Sequence, residues 1–170
     1  SRSWPAKEFG NLASYLQRRY DLNIVITGNK HERVLADEVL SFANKHRAIN
    51  IAGKINLSDL VKIISESVLL ISNDTGTIHL GLSVNANAVC ISNGNHFGRF
   101  VPYPAEMAKK LYCVFPAEIS SKMQDFFVLM EKFKNGSNLE ITRVTLNNVK
   151  QTIDRIMGTL NNVTNNRKVE

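Results

Sequence analysis

The stretch that decides the fold runs from Leu69 to Gly81 and reads LLISNDTGTIHLG. An apolar run ends at Ser72, a polar turn follows, and small and apolar residues resume after the turn. This pattern is typical of a buried strand that leaves a sheet and turns into a helix. The first backbone N–H groups of a helix have no partner inside the helix and favour anions, above all phosphate. We therefore expect any bound nucleotide at this turn.

The composition indicates one globular, water-soluble domain. The chain has 170 residues, of which 44% are hydrophobic and 21% charged, and this is enough for a sizeable core. No apolar run approaches the roughly 20 residues that span a bilayer. The start at Ser1 lacks the basic flank and apolar centre of a signal peptide, and its abruptness indicates a fragment.

The formal charge of +6 bears on the class of partner. The basic residues are scattered, without the aromatic–basic interleaving of single-strand binders, so we do not expect a nucleic-acid partner. Attraction to a phosphorylated small molecule or to an anionic membrane face explains the charge equally well. The two cysteines, Cys90 and Cys113, lie in apolar strand-like runs and are interpreted as small buried hydrophobes. No Cys/His spacing of the metal-binding kind is present, and no metal site is expected.

Strand and helix patterns alternate along the chain. Short apolar strands are predicted at 22–27, 48–52, 68–72, 88–92 and 111–115, and helices at 6–20, 32–45, from 58 onward, 77–82, 121–134 and 146–160. The strands are continuously apolar rather than alternating, which indicates a parallel sheet with helices on both faces, a Rossmann-like α/β fold. We expect residues 1–160 to form this single domain, and the Asn-rich tail at 161–170 to be frayed.

In such sheets ligands bind beyond the carboxyl ends of the strands, and Gly28, Gly53, Asp74 and Gly94 all fall at such ends. At the central turn, Asp74 or Thr75 suits an ordinary helix cap, Gly76 an ordinary turn, and both also suit a phosphate site. His79 lies one helical turn after Thr75. It is either a packing residue or a hydrogen-bond donor to a phosphate.

Three further positions have equally open interpretations. Glu32 opens a helix, where its carboxylate either favours the helix dipole or binds the two hydroxyls of a ribose. Ile55 follows the second glycine turn and suits the face of a nucleobase, while Lys54 beside it is expected to be solvated. Arg2 is either solvated or a bidentate phosphate ligand. The loop at 93–104 concentrates aromatic and cationic residues, which indicates either binding or a loop anchored by its own side chains.

Taken together, these residues resemble the heptosyltransferase family, glycosyltransferase family nine. The matching pieces are Ser3-Trp4-Pro5 with Phe9 and Leu12, Gly28 with Glu32, Gly53-Lys54 with Leu57, and Asn73-Asp74-Thr75-Gly76 with His79-Leu80. The resemblance covers about residues 1–116, and residues 139–160 look like the family's closing helical segment. The Asp-Thr-Gly-x-x-His-Leu signature is its most specific part.

The resemblance implies the C-terminal, donor-binding half of an inverting, metal-independent glycosyltransferase of the GT-B architecture. Such an enzyme transfers a heptose-like sugar from an ADP-sugar donor to a lipopolysaccharide-type acceptor, and needs no cofactor. The implied partners are the nucleotide sugar, a saccharide or lipid-linked acceptor, an N-terminal half and a peripheral membrane surface. The implied location is the cytoplasm, at the inner face of a bacterial cytoplasmic membrane.

By the same resemblance, Thr75 and Gly76 hold the diphosphate with His79 nearby, and Asp74 is a structural cap. Glu32 would bind the ribose and Ile55 the adenine.

Arg2 stands where the family often has a lysine near the phosphates. Three departures accompany the resemblance. The strand and glycine loop expected just before Trp4 are missing, the turn at 93–100 replaces a Gly-Pro-Thr-like turn, and residues 118–138 look like an insertion.

Because the catalytic base is expected in the N-terminal half, we expect the isolated chain to bind nucleotide weakly without turnover. The competing interpretations are a non-catalytic nucleotide-binding module and another sugar-nucleotide enzyme such as an epimerase.

Overall fold

The computed structural model describes residues 3–104 and 106–166, with the side chains of residues 161–166 outside the description. The strands of the described residues are β1 (Ile24–Ile26), β2 (Ala48–Asn50), β3 (Leu70–Asn73), β4 (Ala88–Ile91) and β5 (Leu111–Val114). The α-helices are α1 (Ala6–Tyr20), α2 (Arg33–Phe42), α3 (Leu57–Glu66), α4 (Gly76–Ser83), α5 (Ala117–Ser120), α6 (Phe126–Phe133) and α7 (Leu146–Asn166). Short 3₁₀ turns lie at Lys30–Glu32, Lys45–Arg47, Met123–Asp125 and Ile141–Arg143.

The strands form two parallel sheets. β1 pairs with β2 so that Val25 lies opposite Ile49, and the second sheet has the order β3-β4-β5. In the second sheet Cys90 of β4 lies between Ser72 of β3 and Cys113 of β5. Parallel pairing requires crossover connections, and the helices between successive strands supply them.

Two apolar clusters cover the two faces of the three-stranded sheet. Successive side chains of β4 point to opposite faces, so Val89 and Ile91 join one cluster while Ala88 and Cys90 join the other. The first cluster contains α1 and α7 residues, among them Leu12 and Ile153. The second is formed by residues of α4, the loop after β4, and α5 and α6, including Ile78, Phe97, Ile119 and Leu129.

Local sequence signals explain several element ends. Pro5 precedes the first turn of α1, and Asp21 ends that helix in a left-handed conformation with φ 57°. Gly10 lets α2 approach closely, since a Cβ at that position would lie 2.6 Å from the Phe42 ring. Asn56 and Asp59 form a reciprocal capping box that starts α3.

The structure confirms the α/β fold class with parallel strands flanked by helices, and α1 has the predicted bounds. Three predictions need correction. The helix predicted at 121–134 is a 3₁₀ turn at Met123–Asp125 followed by α6, which begins only at Phe126. The helix predicted at 32–45 is split, because Asn29 caps a 3₁₀ turn at Lys30–Glu32 before α2 begins at Arg33. The closing helix continues to Asn166 rather than ending at Leu160. No helix of the described residues is both long enough and apolar enough to span a membrane.

Candidate functional site

The turn from β3 into α4 leaves the start of the helix open. Thr75 is the N-cap residue, yet its side chain makes no capping hydrogen bond. Its Oγ1 lies instead 3.3 Å from Oγ of Ser72. Among the described residues, the N–H groups of Gly76 and Thr77 have no acceptor. An uncapped helix start with unpaired N–H groups and the positive end of the helix dipole attracts an anion.

Gly76 is not required by the chain itself. Its φ is outside the left-handed region, and a Cβ added there would have no atom within 4 Å. Gly81 and Gly94 differ, since an added Cβ would collide with Leu70 at the first and with Ile119 at the second. Gly76 therefore faces space that no other residue of the described part of the chain fills. The geometry fits both interpretations of this glycine, easing the turn and admitting a ligand, since Gly158 on α7 faces equally open space.

Asp74 links the turn after β3 to the turn after β4. Its carboxylate accepts a hydrogen bond from Oγ of Ser92 at 3.3 Å, and Ser92 Oγ accepts one from the N–H of Gly94 at 3.1 Å. The N-cap of α4 is Thr75. The interpretation of Asp74 as the cap is therefore wrong: this carboxylate aligns two neighbouring loops.

His79 has a defined partner. Its Nδ1 lies 3.0 Å from the hydroxyl of Tyr103, and its ring also lies near that of Phe100. When the Tyr103 hydroxyl donates to Nδ1, the proton of the neutral imidazole is on Nε2, which becomes a donor. The side chain is half-buried, one helical turn beyond Thr75. This pairing gives His79 a fixed ring orientation at the open end of α4.

The loop at 93–104 combines both interpretations offered for it. Phe97 is fully buried, with ring centroids 5.4 Å from Phe115 and 5.3 Å from Phe126, so it anchors the loop. Arg99 and Phe100 are exposed, with the guanidinium 5.2 Å from the ring centroid. One buried anchor thus supports a surface that presents cationic and aromatic groups.

The segment predicted as an insertion supports that loop. The amide of Asn93 donates to the carbonyl of Leu139 at 2.9 Å, and the hydroxyl of Ser137 donates to the carbonyl of Asn93 at 2.8 Å. The N–H of Ser137 donates to Oδ1 of Asn95 at 3.2 Å. Sequence reasoning missed these contacts, because no local pattern indicates hydrogen bonds between residues more than 40 positions apart.

A second group of predicted site residues lies at the ends of β1 and β2. The N–H of Gly53 donates to the carbonyl of Gly28 at 2.9 Å, which joins the two turns. Gly53 has φ +71°, and a Cβ there would lie 2.8 Å from Cα of Lys30. Ile55, half-buried, follows this turn. The close approach explains why both turns contain glycine.

Glu32 has a structural role among the residues at the ends of β1 and β2. Its Oε2 accepts the N–H of Asn29 at 2.8 Å, while Oδ1 of Asn29 accepts the N–H of Glu32 at 3.2 Å. This is a capping box, a local structural role that differs from the helix-dipole interpretation offered above. The side chain is nevertheless exposed, and its Oε1 takes no part in the box.

The structure thus brings Asp74, Thr75, Gly76 and His79 together at one turn, and Glu32 and Ile55 at a second. No hydrogen bond joins the two groups within residues 3–104 and 106–166. Arg2 lies outside the described residues. Within them no group of three or more His, Cys, Asp or Glu side chains could hold a metal ion.

A cavity of about 930 Å³ lies along the outer edge of β5, where its lining includes Cys113, Asn148 and Arg155. Tyr103 is its link to the turn described above, since this side chain both lines the cavity and contacts His79. The cavity does not include the start of α4, so it is separate from the candidate anion site.

These features define the class of protein: a Rossmann-like α/β domain of the GT-B type, with a candidate site at the carboxyl ends of its strands. The family model of glycosyltransferase family 9 (heptosyltransferase) matches residues 1–125. The chain belongs to this family.

Two curated relatives agree with this assignment. The lipooligosaccharide heptosyltransferase 2 of Haemophilus ducreyi is 26% identical over 88 residues, which is 50% of this chain and 25% of that protein. The lipooligosaccharide heptosyltransferase 2 of Haemophilus influenzae is 23% identical over 94 residues, or 54% of this chain and 27% of that protein. The matched part is therefore about a quarter of each relative.

Solved structures share the fold. A glycosyl transferase family 9 protein from Veillonella parvula matches 91% of this chain and 42% of its own length, with a TM-score of 0.68 and 21% identity. The ADP-heptose lps heptosyltransferase II of E. coli matches 76% of this chain and 42% of its own, with a TM-score of 0.56 and 17% identity. The chain spans less than half of either protein.

Proposed function

We propose that this chain is the donor-binding half of an inverting, metal-independent glycosyltransferase. It would bind a nucleotide diphosphate sugar, with ADP-heptose as the reference donor, for transfer to a lipopolysaccharide-type acceptor. The observation that carries the proposal is the uncapped start of α4 with open space at Gly76. Family membership and the names of the relatives support the transfer of a heptose-like sugar.

The diphosphate would lie at the start of α4. The N–H groups of Gly76 and Thr77 would donate to its oxygens, the Thr75 hydroxyl would add a third donor, and Nε2 of His79 a fourth. Such donors act together with the helix dipole, and each is stronger toward an anion than toward a neutral group. Arg2 is proposed as a further cationic ligand, from the resemblance alone.

The nucleoside would lie over the turns after β1 and β2. Oε2 of Glu32 is held by Asn29, which leaves Oε1 to accept a ribose hydroxyl. Ile55 would contact the adenine. The exposed cations Lys30, Arg33 and Lys54 surround these turns and favour an anionic ligand.

In the reaction, a base deprotonates the acceptor hydroxyl as the hydroxyl oxygen attacks the anomeric carbon, and the bond to the leaving diphosphate breaks. The residues of this chain would stabilise the charge that develops on the diphosphate, through preorganised donors at α4. We propose that the base and the acceptor site belong to an N-terminal half. The carboxylate of Asp74, just ahead of α4, is engaged with Ser92.

We also propose a peripheral contact with the inner face of a bacterial cytoplasmic membrane. Helix α6 exposes Phe127 at 75% and Val128 at 68%, with the exposed lysines Lys122 and Lys132 nearby in sequence. Apolar side chains next to lysines suit an anionic lipid surface. Co-sedimentation with anionic vesicles, compared with Phe127→Ser, tests this contact, and equal sedimentation of the two proteins would refute it.

Calorimetric titration with ADP, GDP and UDP tests the donor site. We expect ADP to bind most tightly, and Thr75→Ala to weaken ADP binding about tenfold or more, because a hydrogen bond to a charged group contributes about 1.5–3 kcal/mol. Thr75→Ala should leave stability nearly unchanged, since its hydroxyl makes no capping bond. Absence of binding by all three nucleotides would refute the site.

A further inference from the structure

The exposed part of the loop at 93–104 carries an aromatic ring in contact with two histidines. The ring centroid of Phe100 lies 6.2 Å from that of His79 and 6.2 Å from that of His96, and the Phe100 side chain is 44% exposed. The guanidinium of Arg99 lies 5.2 Å from the same centroid. In ligand sites, aromatic rings supply contact area while a few fixed polar groups set the orientation of the ligand. The three rings have this composition.

His96 is oriented by a hydrogen bond that also determines its tautomer. Its Nδ1 lies 3.0 Å from the carbonyl oxygen of Lys134, at the carboxyl end of α6. A carbonyl oxygen only accepts, so Nδ1 carries the proton and Nε2 of the neutral ring is an acceptor. Within residues 3–104 and 106–166, Nε2 of His96 has no hydrogen-bond partner. His96 therefore offers a fixed acceptor, which suits a hydroxyl group and disfavours a phosphate or a carboxylate.

His79, the other histidine beside Phe100, offers the opposite group. Its Nδ1 faces the hydroxyl of Tyr103, and in the tautomer described above its Nε2 is a donor. Because Phe100 contacts both histidines, the surface presents a donor in the first turns of α4, then an apolar ring, then an acceptor. A ligand that matches this order has an anionic group, then C–H groups, then a hydroxyl. A sugar ring joined to a diphosphate has these three features in the same order.

We propose that Phe100 and His96 form the subsite for the sugar ring of the donor. Phe100 contacts the C–H groups of the ring, and Nε2 of His96 accepts a hydrogen bond from one of its hydroxyls. This inference rests on the proposed function, which places the diphosphate at the start of α4. The subsite selects a hydroxyl, because a sugar with hydrogen at that position leaves Nε2 unpaired, and one with a carboxylate there faces it with a second acceptor.

Calorimetric titration with ADP-heptose and with ADP separates this subsite from the phosphate site. The test variants are Phe100→Ala and His96→Asn, since asparagine tolerates the left-handed φ of 55° at position 96 but lacks Nε2. We expect each variant to weaken ADP-heptose binding about three- to tenfold, as for one neutral hydrogen bond, and to leave ADP binding unchanged. The matched controls Phe127→Ala on α6 and His46→Asn ahead of β2, both at exposed positions, should change neither affinity.

Two outcomes would overturn the subsite while the phosphate site stands. One is wild-type affinity for ADP-heptose in both folded variants. The other is weaker binding of a lipopolysaccharide core saccharide by the variants with ADP-heptose binding unaffected, which would assign Phe100 to the acceptor.

A second measurement does not depend on the nucleotide. The methyl glycoside of heptose is titrated into the chain with nitrogen-labelled histidine, and NMR follows the Nε2 shift of His96. We expect this shift to move in the wild type and to move much less in Phe100→Ala. A response of His96 to the sugar together with no binding of ADP would refute the donor-site proposal and retain the sugar subsite. No response of His96, together with equal affinities for ADP and ADP-heptose, would refute the subsite.

Discussion

At the residue scale, the glycines and their surroundings separate structural from functional positions. Gly10, Gly53 and Gly81 are each required by a close neighbour, whereas Gly76 is not. The sequence predicts a glycine-containing turn after β3 from the apolar run and the polar residues that follow. It does not predict which glycine faces open space, because that depends on side chains distant in the chain. His79 was predicted by its spacing from Thr75, but its partner Tyr103, 24 residues away, was not.

Tyr103→Phe tests whether the hydroxyl holds His79 for the ligand. We expect ADP affinity to fall about three- to tenfold, because a hydrogen bond of this kind contributes about 1 kcal/mol. The ring nitrogen shifts of His79, measured by NMR, should change from those of a single tautomer to those of a mixture of tautomers. Tyr112→Phe on the exposed face of β5 is the control and should change neither quantity. Unchanged nitrogen shifts in Tyr103→Phe would contradict the pairing.

At the element scale, the order of strands and helices was predictable, because each has a clear local period and a turn signal at its end. The bounds of α1 follow from Pro5 and from the apolar stripe. The pairing between strands could not be predicted from local sequence in the same way. The division of the strands into two sheets depends on which strands meet. Helix α2 begins later than predicted because Asn29 and Glu32 pair across a 3₁₀ turn.

Phe97→Ala tests whether the loop at 93–104 is anchored by its buried ring. Removing a fully buried phenylalanine should lower the free energy of unfolding by about 3–5 kcal/mol. Phe127→Ala on the exposed face of α6 is the matched control and should stay within about 0.5 kcal/mol of the wild type. Urea unfolding of the three proteins checks this, and similar losses in both variants would show that the loop is anchored otherwise.

The contact between Cys90 of β4 and Cys113 of β5 predicts that the free energy of unfolding depends on pH. A hydrogen bond with Cys113 and burial raise the pKa of the Cys90 thiol well above its ordinary value. Because the folded state holds this proton more tightly, stability is complete below the pKa of the unfolded thiol, about 8.5, and falls as pH rises above it. The slope from this group is at most about 1.4 kcal/mol per pH unit.

Cys90→Ala should remove that slope, as measured by urea unfolding at a series of pH values. Tyr15 and Tyr20 have raised pKa values as well, so both proteins share a further decline in more alkaline solution. Identical profiles for the wild type and Cys90→Ala from about pH 8.5 to about pH 10 would refute the assignment to Cys90.

At the scale of the whole molecule, the chain spans less than half of the solved family structures that it matches. The carboxyl edge of the sheet offers groups that suit a leaving diphosphate, and we propose that the acceptor and the base are supplied elsewhere. The 170-residue chain alone should therefore bind nucleotide and give no sugar transfer. An assay with ADP-heptose and a lipopolysaccharide core acceptor checks this, and measurable turnover by the chain alone would place the base within it.

The central claim is that the open space at Gly76 receives the diphosphate, and one matched pair of variants tests it. Gly76→Leu fills that space, while Gly158→Leu fills equally open space on α7, far along the chain. Neither added leucine side chain would clash with a neighbouring atom, and leucine favours a helix more than glycine does. Both variants should therefore fold with wild-type or slightly raised Tm. Calorimetric titration with ADP should show at least about tenfold weaker binding for Gly76→Leu, equivalent to 1.4 kcal/mol, and no change for Gly158→Leu. Wild-type ADP affinity in a folded Gly76→Leu protein would contradict the account.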